Sequence, residues 1–228
     1  MKTFWQTQFG NFRSLWLGAL LILIPLLAFL TYVIWQQDAP VYEYLDDPVG
    51  YIGKMYYGIG SNVGMLFWCS AAALCLFSGL LLKWAGGSRM EFGRFLWFSG
   101  VVTVILLLDD LFLLHDRVIP LYTPADQEAL YLGYVAMLGL YLFEFRKTLL
   151  KTELLPLVLA FALMAISVFV DEGVENGWLG ISYSPLSYLV EDGSKLLGIA
   201  MWFWYFLRVC LNQMQQVISV RETAPPQS

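Results

Sequence analysis

Three short clusters of ionisable residues stand in a chain that is otherwise very apolar: Asp109-Asp110 with His115-Asp116, Asp171-Glu172 with Glu175, and Glu191-Asp192 with Lys195. Carboxylates favour hard cations such as calcium, magnesium or manganese, and an added imidazole extends the choice to zinc or iron. The same groups serve as general acids and bases. The clusters hold eight acids against Lys195, Arg117 and, when protonated, His115. Glu191 and Lys195 are spaced i, i+4 in the order that favours pairing, which still leaves an excess of carboxylate. Like charges this close cannot all ionise.

A bound divalent cation (calcium, magnesium, manganese or zinc) is the preferred way to neutralise them. Its candidate ligands are Asp109, Asp110, His115, Asp116, Asp171, Glu172, Glu175, Glu191 and Asp192, with Asp110, His115, Asp171, Glu175 and Glu191 as the inner set. The candidate catalytic groups are Asp110, His115, Glu191 and Lys195, the lysine orienting Glu191 or holding an anionic group. A metal-bound water beside a carboxylate base suits hydrolysis of an ester, amide or phosphoester, here on a lipid or periplasmic substrate. Two other readings stay open. Intramembrane acids also mark proton- or cation-coupled transport, although the other halves of the helices look uniformly apolar. A hydrogen-bonded network could instead simply hold helices together.

The elements that position these residues are membrane helices. The chain has 228 residues, 59% hydrophobic and 14% charged, which lies outside the range of a soluble domain. A bilayer span needs about 20 apolar residues, and six runs qualify: roughly 14–35, 61–82, 95–114, 129–145, 154–170 and 185–211. The fold expected is all-α, a polytopic membrane protein with a six-transmembrane-helix bundle. It forms a single integral membrane domain over 1–228, with a short polar cytoplasmic tail at 212–228. The first run exceeds the core of a signal peptide and is expected to remain as a helix. Cys69, Cys75 and Cys210 fall inside spans without metal or redox spacing and read as small apolar residues. The lipid bilayer is the implied partner, with a lipid or small-molecule substrate and no nucleic acid.

Basic residues set the orientation. Lys2, Arg13, Lys83, Arg89, Arg94, Arg146, Lys147, Lys151, Arg208 and Arg221 fall on one side of a six-span arrangement, against Lys54, Arg117 and Lys195 on the other. Both termini are therefore expected in the cytoplasm, in the cell (inner) membrane, with the acidic clusters facing outward. Only Glu91, Glu144, Glu153 and Glu222 fall on the inner side.

Locally, the third span is expected to run out to His115 and stop before Pro120. Asp109 and Asp116 would then share a face, with Asp110 and His115 on other sides. Ser184-Pro185 reads as an N-cap followed by proline at the first helical position. Asp171 and Glu175 share a face, and Gly173 and Gly193 would let neighbouring helices approach closely. The loop 36–60 carries Tyr42, Tyr44, Tyr51, Tyr56 and Tyr57, as an aromatic belt or a wall over the site. Asp47-Pro48 could cap a short helix there.

Three short resemblances bear on the chemistry. Glu191-Asp192-x-x-Lys195 resembles the Glu-Glu-x-x-Lys element of one group of intramembrane proteases. Asp171-Glu172-Gly173-Val174-Glu175-Asn176 resembles the acidic calcium-binding element of alkaline ceramidases. Both families use further histidines, and His115 is the only histidine here. Glu191 and Lys195 also share the carboxylate-to-lysine spacing of retinal proteins, which have seven helices against six expected here. Each match spans four to six residues and assigns no family.

Overall fold

Each of the six apolar runs forms one helix in the computed structural model, which describes residues 12–36, 39–45, 57–123, 127–180 and 182–223. In chain order the helices are α1 (Phe12–Trp35), a short α2 (Tyr42–Leu45), α3 (Ile59–Ala85), α4 (Met90–Phe112), a short α5 (Ile119–Tyr122), α6 (Gln127–Leu149), α7 (Leu155–Glu175) and α8 (Pro185–Thr223). A 3-10 turn, Gly87–Arg89, precedes α4, and a π turn, Leu114–Val118, follows it. Among the described residues the protein is all-helical, and α1, α3, α4, α6, α7 and α8 are long and apolar enough to cross a membrane. Asp47-Pro48, Tyr51 and Tyr56 lie outside the described residues.

The described residues divide into two compact units, Trp68–Leu154 with 205–223, and 12–67 with Leu155–Trp204. In the first, α3 and α4 touch backbone to backbone. A Cβ on Gly79 would lie 2.7 Å from the Trp97 nitrogen, and one on Gly93 2.9 Å from the Lys83 nitrogen. Such close approach gains dispersion contacts where no hydrophobic effect drives helices together. Phe95 is fully buried in a cluster of rings from Tyr141, Phe145 and Phe206.

This unit also contains two buried hydroxyl pairs. Tyr141 Oη lies 2.6 Å from Ser99 Oγ, which donates to the Phe95 carbonyl. Tyr205 Oη lies 2.9 Å from Thr152 Oγ1, which donates to the Leu149 carbonyl. In both, the tyrosine can donate to a hydroxyl whose own proton is placed on a backbone oxygen, so the polar atoms are satisfied within the protein.

α6 illustrates why its apolar run looks short. Its mean hydropathy of 1.2 is the lowest of the six long helices. Tyr131, Tyr134 and Tyr141 dilute the run, yet Tyr141 is buried and Tyr131 and Tyr134 are half-buried. The outward positions Leu132, Val135, Leu140 and Phe143 remain apolar and exposed. The helix therefore extends the full 23 residues.

In the second unit α1 has the highest mean hydropathy, 2.6, and only 22% of its span is buried, as expected of a helix facing lipid. α8 shows the opposite: a mean hydropathy of 1.3 with 67% of its span buried. Within that unit, Trp202 of α8 is fully buried and meets Phe161 of α7 edge-on at 5.6 Å.

Candidate functional site

α4 does not run on to His115. It ends at Phe112 because Leu113 turns into the left-handed region, φ 50° and ψ 46°, with its N–H bonded to the Asp109 carbonyl. Pro120 is not the stop; it lies in the first turn of α5. The π turn folds back over the end of α4, so residues that a straight helix would separate come together. Asp109 Oδ1 accepts the His115 backbone N–H at 3.0 Å, and Oδ2 lies 2.7 Å from His115 Nδ1. Tyr134 of α6 donates to Oδ1 at 2.7 Å. The His115 ring packs on Tyr131 with centroids 5.2 Å apart.

The imidazole is thus held by Asp109 rather than by Asp110, its neighbour on α4, which is also buried. A carboxylate can only accept, which places a proton on Nδ1. Nε2 takes no hydrogen bond among the described residues. Asp116 lies in the same π turn, and its side chain is outside the described set.

The other acidic residues belong to the second unit. Asp171 is half-buried, Glu172 buried and Glu175 exposed at the end of α7. Glu172 Oε2 accepts from Asn176 Nδ2 at 2.8 Å. Gly177, at φ 72°, closes the helix, and its N–H bonds the Val174 carbonyl at 3.2 Å. This is the left-handed C-cap that glycine supplies without strain. Leu179 then folds back so that a Cβ on Gly173 would lie 2.7 Å from it. Gly173 therefore makes room for the following loop rather than for a neighbouring helix. Gly193 does face α1, with Leu30 at ordinary contact distance, 3.4 Å.

α8 begins as its sequence suggests, with a reciprocal cap. Ser187 N–H donates to Ser184 Oγ at 3.2 Å, and Ser184 N–H donates to Ser187 Oγ at 2.8 Å. That cap orients the first turns of α8, where Glu191, Asp192 and Lys195 are all half-buried.

One further residue lies within electrostatic reach of this acidic group. Tyr183, in the α7–α8 connection, has its phenol pushed up to about 12. Partial loss of solvent is the first cause, although the residue is 46% exposed, followed by the negative charges of Asp171, Glu191 and Glu175. Tyr183 stacks on Tyr188 at 5.3 Å, and Tyr188 meets Tyr42 of α2 at 5.9 Å. An i, i+4 tally of acids cannot find such a residue; an aromatic between two acidic clusters was the available signal.

Among the described residues, no three histidine, cysteine, aspartate or glutamate side chains come together as a metal-ligand set.

A family model matches residues 15–209 of this chain. The chain belongs to the family described as domain of unknown function DUF8692. The DUF8692 match runs from α1 into α8, so it takes in all six long helices and every cluster described above. No curated protein and no solved structure matches the chain.

Proposed function

We propose that this is a multi-pass protein of the cell (inner) membrane with both termini cytoplasmic, and that Asp109 and His115 form an outward-facing acid–base centre. In this reading it hydrolyses an ester, amide or phosphoester of a lipid or periplasmic substrate. The observation that carries it is that Asp109 holds the His115 backbone N–H and Nδ1 through its two oxygens, while Nε2 takes no hydrogen bond among the described residues. A second observation supports it. Leu113, beside the pair, is the only non-glycine residue with positive φ among those described. Strain of that kind persists where the surroundings over-determine it, commonly at working sites.

Asp109 fixes the tautomer and stabilises the imidazolium that forms when Nε2 takes a proton from attacking water. His115 then returns the proton to the leaving group. Were a metal ion bound, the same nitrogen would hold it, since a carboxylate behind Nδ1 is the usual outer partner of a metal-binding imidazole.

The Tyr134 bond and the Tyr131 contact favour a second reading, in which the network only fixes α6 to the end of α4. The test separates the two. Detergent-purified protein is assayed against lipid and soluble esters, amides and phosphoesters, with and without chelator. His115→Ala and Asp109→Asn are expected to lose on the order of 10²–10⁴-fold in turnover. Lowered melting temperature with no His115-dependent turnover on any substrate would leave the network reading. His115-dependent ion flux in proteoliposomes would point to transport.

A further inference from the structure

At one end of the first unit α3 and α6 finish and α4 begins, with Lys83 in the last turn of α3, Arg89 in the 3-10 turn, and Arg146 and Lys147 in the last turn of α6. Two clasps hold these helix ends together. Glu91, in the first turn of α4, accepts from Thr148 Oγ1 and from Lys151 Nζ, each at 2.8 Å. Arg94 of α4 pairs with Glu144 of α6. Glu91, Glu144 and Glu153 are thus taken by Lys151, Arg94 and Arg208. Lys83, Arg89, Arg146 and Lys147 have no carboxylate partner among the described residues. Two of them lie on rings instead. Lys83 Nζ is 4.6 Å from the centre of the Trp97 ring, and the Arg146 guanidinium carbon is 4.1 Å from that of Phe143. Arg146 Nη1 also donates to the Phe143 carbonyl at 2.7 Å. Such contacts hold a cation without neutralising it. Large apolar side chains stand open beside these charges: Trp84 is 80% exposed, Phe143 66%, and Met90 and Leu150 more than half.

We propose that this end of the unit binds an anionic phospholipid, with Lys83, Arg89, Arg146 and Lys147 facing its headgroup and Trp84, Met90, Phe143 and Leu150 against its acyl chains. Charge complementarity selects the headgroup. A zwitterionic lipid brings its own cation and gains little from four unneutralised charges, whereas each lysine or arginine near an anionic membrane surface strengthens association about fivefold. The mixture of side chains selects a lipid over a soluble acidic partner. An acidic peptide or nucleic acid would meet the same cations and leave Trp84 and Phe143 uncovered. Long basic side chains whose stems lie along apolar surface, with the charge carried to the polar boundary, suit the edge of a bilayer. The lipid site needs the membrane placement proposed above and is independent of His115.

The test reconstitutes full-length protein in phosphatidylcholine bilayers that carry a trace of spin-labelled phosphatidylglycerol or, in parallel, of spin-labelled phosphatidylcholine. Electron paramagnetic resonance reads the fraction of each label immobilised at the protein. Wild type should hold phosphatidylglycerol severalfold more strongly than phosphatidylcholine, and added salt should shrink that preference. Combining Lys83→Gln, Arg89→Gln, Arg146→Gln and Lys147→Gln should abolish it, with little change in melting, because no buried carboxylate is stranded. Combining Lys83→Arg, Arg89→Lys, Arg146→Lys and Lys147→Arg should keep it, which separates lost charge from lost folding. Equal retention of the two lipids by wild type, or a preference that survives the combined glutamine variant, would overturn the site; the cations would then serve only the helix ends that carry them. Immobilisation of neither label would overturn the membrane placement as well.

Discussion

Leu113 holds a left-handed conformation that costs an L-residue roughly 1–2 kcal/mol, and the bonds to Asp109 offset it. Hydrogen bonds to a charged group contribute about 1.5–3 kcal/mol each, and Asp109 accepts three. Tyr134→Phe removes one of them but leaves the imidazole held. It should destabilise the protein by about 1.5–3 kcal/mol in a detergent melt, with a smaller loss of turnover than Asp109→Asn. Equal losses in both variants would place Tyr134 in the chemistry. Tyr183 allows a titration test in the other unit. Its phenol binds its proton more tightly when folded, so the folded state carries more protons than the unfolded state between about pH 10 and 12. Stability contributed by Tyr183 is therefore present below pH 10 and falls as pH rises through that window. The difference absorbance of wild type and Tyr183→Phe should show a phenol titrating near 12. Asp171→Asn and Glu191→Gln should each move it down, by less than full exposure would.

At the level of elements, the ends of the long helices decide the arrangement more than their apolar middles do. The Ser184–Ser187 cap was legible because serine before proline is a local signal, carried by backbone donors within one turn. The end of α4 was not. No glycine or proline stands at position 113, and the break depends on a carboxylate four residues earlier reaching a backbone N–H two residues later. Pro120 looked like the stop because proline commonly ends helices, but it serves equally well in a first turn. The end of α7 gives the sharpest element-scale prediction. Gly173→Ala should cost about 1–3 kcal/mol through overpacking against Leu179, read as a lower melting temperature. If Gly173→Ala melts like wild type, the loop does not close over that glycine.

On the scale of the whole molecule, the described ion pairs of the first unit make its basic residues less free than their number suggests. Arg94 pairs with Glu144, Lys151 with Glu91 at 2.8 Å, and Arg208 with Glu153 through two bonds of 2.9 and 2.7 Å. Three acids that break the charge polarity of the sequence are thus each matched to a cation. The pairs are not equivalent. Arg208 and Glu153 side chains are 11% and 8% exposed, whereas Lys151 and Glu91 are about half exposed. Removing one partner of a buried pair strands the other and costs about 3–5 kcal/mol; an exposed pair contributes about 0–1 kcal/mol. Arg208→Ala should therefore destabilise the protein far more than Lys151→Ala in the same melt. Comparable effects would mean that the Glu153 carboxylate is not desolvated.

The sequence by itself determined six helices long and apolar enough to cross a membrane, and the sites of most polar residues along them. Those properties follow from the cost of placing polar groups in hydrocarbon, which is paid residue by residue and can be read in one dimension. Tertiary structure alone decided which polar groups meet. Asp109 rather than Asp110 holds His115, because a strained turn brings residues six apart into contact. Tyr134, Ser99, Thr152 and Cys210 find partners more than twenty residues away. Such pairings depend on helix rotation and on where each helix stops, and neither is encoded in the spacing of residues along a single helix.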